Sequence, residues 1–149
     1  MTETPEELTD REIREFFALH DAYWAALDFE QLAQVWDEQD QHPTYIGDEY
    51  WGPVEGWGAL RRHLGRMESR IDQALLRSTV RWAHEVAPNV VVALVLLDWS
   101  FRGVESSELH TGSAWVTALL RRREGSLRMF HYMEASVYLT DEARDALTG

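Results

Sequence analysis

Apolar residues recur every three or four positions through the first part of the chain. Ile13, Phe16, Phe17, His20, Trp24 and Leu27 fall on one stripe with Tyr23 at its margin, which predicts an amphipathic helix. Two start signals precede it, Thr4 with Pro5 and Glu7, and Thr9 with Glu12, so the helix begins between them. Asp28 with Gln31 three residues on starts a second, short helix that buries Leu32, Val35 and Trp36. Over residues 39–58 the pattern breaks into Pro, Gly and aromatics, a segment that forms either a lid or a packed rim, with residues 43–46 as one short edge strand. Helical spacing returns after Gly56: Leu60, Leu64, Met67 and Ile71 lie on one side, Arg61, Arg62, Arg66 and Arg70 largely on the other.

From Leu75 onward the period changes from about 3.6 to 2 and stays there to Leu139, which predicts four strands. In residues 75–86, Leu76, Ser78, Val80, Trp82, His84 and Val86 alternate with Arg77, Arg81 and Glu85, one face toward apolar material and one toward water. Pro88-Asn89 turns the chain into residues 90–101, apolar on both faces and therefore central. A polar loop leads to residues 111–120, and Glu124-Gly125 closes a hairpin onto residues 127–139. A two-residue turn there places Ala114, Val116, Ala118 and Leu120 on one face with Met129, His131 and Met133, and Trp115, Thr117 and Leu119 on the other with Phe130, Tyr132 and Glu134. Both faces of that hairpin are apolar or aromatic, so one of them meets a second subunit. A last helix runs over residues 141–147.

The 149 residues read as one domain, 1–149, large enough to bury a core without staples. Cys and Lys are both absent, which excludes disulfides, thiolate chemistry and Schiff bases. The net charge of −12 sits at the N-terminal end: residues 1–50 carry 14 acids against Arg11 and Arg14, whereas the rest balances 12 acids with 12 Arg. Nucleic acid and anionic membrane surfaces are repelled by such a charge. No signal peptide or membrane span is legible, and the expected location is the cytoplasm. No His-x-His or His-Glu-x-x-His spacing, Gly-x-Ser-x-Gly elbow or dinucleotide fingerprint occurs, so neither a metal nor any other cofactor is expected.

Ala22-Tyr23-Trp24-Ala25-Ala26-Leu27-Asp28 at the end of the first helix, Gly56-Trp57 opening the third, and the Arg-rich hairpin leading into Phe130-His131-Tyr132 occur in an order that resembles the nuclear transport factor 2-like superfamily. Within it, the chain is similar to the SnoaL-like domains related to polyketide cyclases and ketosteroid isomerases, over residues 9–139. The resemblance implies an α+β cone, three N-terminal helices packed against a curved, mainly antiparallel sheet, with an apolar pocket at the open end. Burial there raises the pKa of an acid and lowers that of a His, the tuning that proton transfer needs. It also implies an oxyanion-stabilising phenol at Tyr23 and a base near Asp48. A second acid, due on the strand holding Ala114-Trp115-Val116, is missing, so the steroid-isomerase site is not copied faithfully.

The residues themselves add His131, whose imidazole can act as acid or base near neutral pH, flanked by the adaptable side chains of Met129 and Met133. Trp51, Trp57, Tyr45 and His42 lie in the aromatic segment that rims the open end, and Trp99 on the central strand floors it. The expectation is a homodimeric protein that binds a small cyclic or aromatic organic compound and moves protons without a cofactor, as an isomerase, cyclase or dehydratase. The alternative is a non-catalytic dimerisation or ligand-sensing module of the same fold.

Overall fold

The computed structural model describes residues 2–136 and 141–148. Helix α1 (Pro5–Ala25) starts at the first of the two signals: the Thr4 hydroxyl accepts the Glu7 N–H at 3.1 Å and the Glu7 carboxylate accepts the Thr4 N–H at 3.0 Å, a closed capping box. Thr9, the second signal, is buried inside the helix, where its hydroxyl accepts from Arg122 Nη2 at 3.0 Å. Asp28 caps α2 (Phe29–Gln34) by accepting the Gln31 N–H at 3.2 Å.

Two short strands follow, β1 (Thr44–Ile46) and β2 (Val54–Glu55), then α3 (Trp57–Arg70), which passes directly into β3 (Ile71–Ala87). The long strands β4 (Val90–Gly103), β5 (Leu109–Arg123) and β6 (Ser126–Ala135) complete a six-stranded sheet, and α4 (Asp141–Thr148) is the last element of the described residues. The strand order is β2-β1-β6-β5-β4-β3, antiparallel except for the parallel pairing of β1 with β6. This is the expected α+β arrangement, with one correction at the edge. Strand β1 is internal, because the two-residue β2, too short to leave a periodic signal, covers its outer side. Of the last predicted strand, residues 137–139 lie outside the described residues.

Two tight turns set the meander. Asn89 at φ 62° links β3 to β4, and Glu124 and Gly125 at φ 52° and 82° link β5 to β6, the left-handed pair that a two-residue hairpin requires. Inner-face residues of the sheet, including Leu76, Val80, Val95, Leu97, Val116 and Leu120, bury against Ile13, Phe16, Phe17 and Trp24 of α1. Full burial of each such side chain is worth roughly 1.5–3 kcal/mol. Asp21 fixes the helix to the sheet by accepting both the N–H and the hydroxyl of Ser78 at 2.7 Å.

At the hairpin end of the sheet the Arg run of β5 is a clamp. Asp37, 1% exposed, accepts from Arg121 Nη1 at 3.0 Å and Arg123 Nε at 3.1 Å. Arg121 also reaches Asp40 at 2.8 Å and lies over the Phe130 ring. Arg122 bonds Glu12 of α1 at 2.8 Å and contacts Glu85 of β3.

Two bulges correct the predicted faces. In β3 the register shifts between Val80 and Trp82, so Val80 opposes inward Val95 whereas Trp82 opposes Leu94 and His84 opposes Val92 on the outer face. In β6, Leu120 opposes Met129 but Leu119 opposes His131, which makes Phe130 the extra residue. Beyond it Tyr132 opposes the buried Ala118 and Glu134 opposes the buried Val116, while His131 and Met133 turn outward beside Leu119 and Thr117. Strict alternation from the turn puts those pairs on the opposite faces, because a bulge inverts every side chain that follows it.

Candidate active site

The sheet and the helices enclose a cavity of about 490 Å³. Its walls are largely apolar, with Trp24, Trp36, Leu64, Leu97, Trp99 and Phe101 among them, and its polar groups are few: His20, Tyr45, Asp48, Glu49, His63, Arg70, Tyr132 and Glu134. Gly112 shapes the wall by close approach. It pairs with Trp99 across β4 and β5, and a Cβ at that position would run into the indole ring.

Four of the ten residues singled out in the sequence line this cavity: Tyr45, Asp48, Trp99 and Met129. The other six are elsewhere. Tyr23 packs against the core one residue before the lining Trp24. His131 and Met133 follow the bulge to the outer face, Met133 being 39% exposed. Trp51 stands fully in solvent, His42 is exposed in its loop, and Trp57 carries the Arg61 guanidinium over its ring at 5.1 Å.

In their place the fold assembles a different set. Tyr45 of β1 stacks on His63 of α3 at 4.5 Å between ring centroids and on Tyr132 of β6 at 5.6 Å. Its hydroxyl donates to Glu49 Oε1 at 2.7 Å and lies 3.4 Å from Glu134 Oε1. Glu134 is the most perturbed carboxyl: burial, then the charges of Glu49 and Asp48, push it up to about 7, against the bonds it accepts from the Asp48 N–H and the Tyr45 hydroxyl. The Asp48 carboxylate itself accepts the Ser136 hydroxyl. Burial, followed by the neighbouring charge of Glu134, holds both Tyr45 and Tyr132 well above the ordinary phenol range.

His63 is 4% exposed, and burial plus the Arg66 charge lower its pKa to about 4, so the ring is neutral at pH 7. Its Nδ1 is 2.8 Å from the Tyr50 hydroxyl, which accepts from Arg66 Nη2 at 3.0 Å. Arg66 donates to the Tyr50 oxygen from both Nε and Nη2, which fills its acceptor sites, so the Tyr50 proton is assigned to Nδ1 and the His63 proton to Nε2. His20 is the second buried imidazole of the lining, 6% exposed among Phe16, Phe17 and Tyr132, with no hydrogen-bond partner for Nδ1.

His63, Tyr50, Tyr132 and Glu134 escape a reading of the sequence for different reasons. Glu134 and Tyr132 are misplaced by the bulge. His63 does leave a signal, since it stands three residues after Leu60 and four before Met67, a polar group on the apolar stripe of α3. Among the described residues no three His, Cys, Asp or Glu side chains converge as metal ligands, and no helix is long and apolar enough to cross a membrane.

No family model and no curated protein matches the sequence. Solved structures do. A provisionally assigned scytalone dehydratase from Novosphingobium aromaticivorans superposes with a TM-score of 0.74 at 12% identity, over 88% of this chain and 85% of that one. A provisionally assigned aromatic ring hydroxylase from the same organism gives 0.76 at 12% identity, over 89% and 92%. A nuclear transport factor 2-like superfamily protein from Salmonella enterica gives 0.70 at 14% identity, over 89% and 94%. The assigned activities of the first two differ, so the likeness speaks for architecture and leaves the chemistry to the site. The chain has the NTF2-like fold, a cone of helices closed by a curved sheet.

Proposed function

We propose that the protein is a cofactor-free acid/base enzyme acting on a small cyclic or aromatic organic compound, of isomerase, cyclase or dehydratase type. One observation carries the reading: a carboxyl held near neutrality and a neutral imidazole donor are brought into one aromatic cavity, joined by Tyr45, whose ring stacks on His63 and whose hydroxyl approaches Glu134. A base whose pKa lies near the working pH combines the right protonation state with a useful driving force for transfer. Glu134 takes a proton from carbon beside a carbonyl and returns it to a second carbon, or to a leaving hydroxyl. The His63 Nε2–H, held in place by Tyr50 and Arg66, donates to the oxygen on which charge develops. Asp48 remains at the rim as a second carboxylate, and Trp99, Met129 and Tyr45 hold the ring of the compound. The dehydratase assignment of the superposed Novosphingobium protein is consistent with this chemistry. Tyr23 and His131, which lie off the cavity, have no part in it.

The test is exchange of the α-protons of 2-tetralone in deuterated buffer at pH 7.5, followed by proton NMR. The protein accelerates exchange over buffer, and Glu134→Gln removes the acceleration by about 10²–10⁴-fold, the usual contribution of a positioned base, with unchanged circular dichroism. Wild-type protein no faster than buffer would mean a binding module and not an enzyme.

The same proposal includes a homodimer through the outer sheet face. There Leu96 opposes Trp115, and Leu94 opposes both Trp82 and Thr117, which in turn opposes Met133. Trp82, Trp115 and Met133 are 47%, 42% and 39% exposed, a contiguous apolar surface of the kind that marks an interface. Sedimentation velocity gives a dimer for the wild type and a monomer for Trp115→Arg; a monomeric wild type removes this part of the proposal.

A further inference from the structure

Gly112 is the one glycine inside the four long strands, since Gly103 closes β4. A strand interior gains from a side chain that stiffens the backbone and packs against its neighbours, and glycine supplies neither. The space it leaves is taken by Trp99.

Trp99 stands on the inner face of β4 with four neighbours in the plane of the sheet. Leu76 opposes it on β3, Gly112 opposes it on β5, and Leu97 and Phe101 lie two residues before and after it on its own strand. Leu76 and Leu97 are buried, and the Phe101 ring stacks on the indole at 5.4 Å while Trp24 of α1 meets Phe101 edge-on at 6.0 Å. Three sides are therefore filled. On the fourth, a Cβ at position 112 would stand 2.8 Å from Trp99 Cε2 and nearer still to Cζ2, so the six-membered ring of the indole lies over the bare backbone. Trp99, Leu76, Leu97 and Phe101 all line the cavity, whereas Gly112 is covered and does not.

Any side chain at position 112 has to move the indole. Leu76, Leu97 and Phe101 close the other directions within the sheet, and a packed wall does not yield without loss. The remaining way is up from the sheet, into the cavity. At about 490 Å³ the cavity lies in the lower part of the ~300–1,000 Å³ range of ligand sites, so a ring raised into it displaces a ring of the ligand.

We infer that Gly112 sets the size of the compound that the cavity accepts, by letting the Trp99 indole lie down across β5 and so leaving room for a second fused ring. The inference rests on the reading of this cavity as the binding site and deepens it by naming what limits the ligand. Gly112 is a positioning residue that acts through Trp99; it touches no ligand itself. A bicyclic compound fits the wild-type cavity, and a monocyclic one fits whether the indole lies flat or stands.

The experiment is isothermal titration calorimetry at pH 7.5 with 2-naphthol and phenol, two neutral compounds that differ by one fused ring. Gly112→Ala weakens 2-naphthol binding at least tenfold and changes phenol binding by less than about threefold, a size of effect usual for one methyl group in an apolar pocket. Gly112→Ala/Trp99→Phe, which removes the ring that the new Cβ strikes, recovers at least fivefold of the lost 2-naphthol affinity. Equal losses for the two compounds overturn the inference, because a general distortion of the sheet would not discriminate by size. A double variant no better than Gly112→Ala also overturns it, since the methyl group would then act by another route than Trp99. Should Gly112→Ala not fold, Trp99→Phe alone carries the test: it binds the three-ring 9-phenanthrol at least tenfold more tightly than the wild type does, and an unchanged affinity overturns the inference. Wild-type protein that binds neither 2-naphthol nor phenol overturns the cavity as a binding site, and the inference with it.

Discussion

The two ends of this molecule treat buried carboxylates in opposite ways. At the hairpin end, Asp37 is nearly inaccessible and accepts from two guanidinium groups, and Asp40 shares one of them. Burial alone would raise Asp40, but the Arg121 bond, the His42 N–H and the nearby Arg123 together outweigh it and hold the carboxyl below its ordinary range. At the open end, Glu134 is half-buried beside two further acids, receives only a backbone N–H and a phenol, and sits near neutrality. The same residue type in the same sheet is thus a fixed charge that joins elements in one place and a titrating group in the other. What separates them is whether an Arg lies within reach.

The contrast predicts stability effects of opposite sign. The largest is expected at the clamp: Asp37→Asn leaves Arg121 and Arg123 without their shared partner and costs about 2 to 4 kcal/mol in urea unfolding at pH 7, below the upper range for a fully buried pair because water reaches both guanidinium groups. A loss under about 1 kcal/mol would mean that the hairpin end does not depend on pairing.

Next comes Glu134. A carboxyl whose pKa is raised on folding holds its proton in the native state after the unfolded chain has released it. The native state is therefore undisturbed below about pH 4.5 and loses stability progressively as the pH rises to about 7. Glu134→Gln, which copies the protonated form, accordingly stabilises the protein by about 1 to 3 kcal/mol at pH 8.5 and hardly at all at pH 4.5, read from thermal or urea unfolding. An equal effect at both pH values would show that packing, not charge, is responsible. That gain in stability together with the loss of proton exchange would identify Glu134 as a residue retained for function at the expense of stability.

The smallest effect tests the neutral pair across the cavity. Tyr50→Phe removes the hydroxyl that links Arg66 to His63 Nδ1 and costs about 1 kcal/mol. It also frees the imidazole to change tautomer, visible as a change in its ring-nitrogen NMR shifts at pH 7. Unchanged nitrogen shifts would remove Tyr50 as the group that orients His63.

The local signals were legible because they act over three or four residues. Thr4 with Glu7, Asp28 with Gln31, and Glu124-Gly125 each place a helix start or a turn by contacts made within a few positions. Part of the site was legible too: Tyr45, Trp99 and Met129 stand before any bulge that would invert them, or on a strand without one, while Asp48 follows from the family resemblance. Strict alternation puts His131, Met133 and Glu134 on the wrong faces because Phe130 is inserted once into an otherwise regular pattern, and no residue around it announces the insertion. The β3 bulge turns Trp82 and His84 outward in the same way.

The chain by itself determined an α+β order of helices followed by a long meander, a charge unsuited to polyanions, and the absence of thiol and lysine chemistry, since these follow from composition and from short-range periodicity. Which carboxylate would titrate was settled only in three dimensions. Asp37 and Glu134 look alike in the sequence, each beside an aromatic or apolar neighbour and far from most of the Arg residues that could pair with it. The β5–β6 hairpin brings Arg121 and Arg123 to the first, 84 and 86 positions away along the chain, while the second is folded against Asp48 and Glu49. A pKa is fixed by charges and solvent within a few ångströms, and those distances exist only after the sheet has closed.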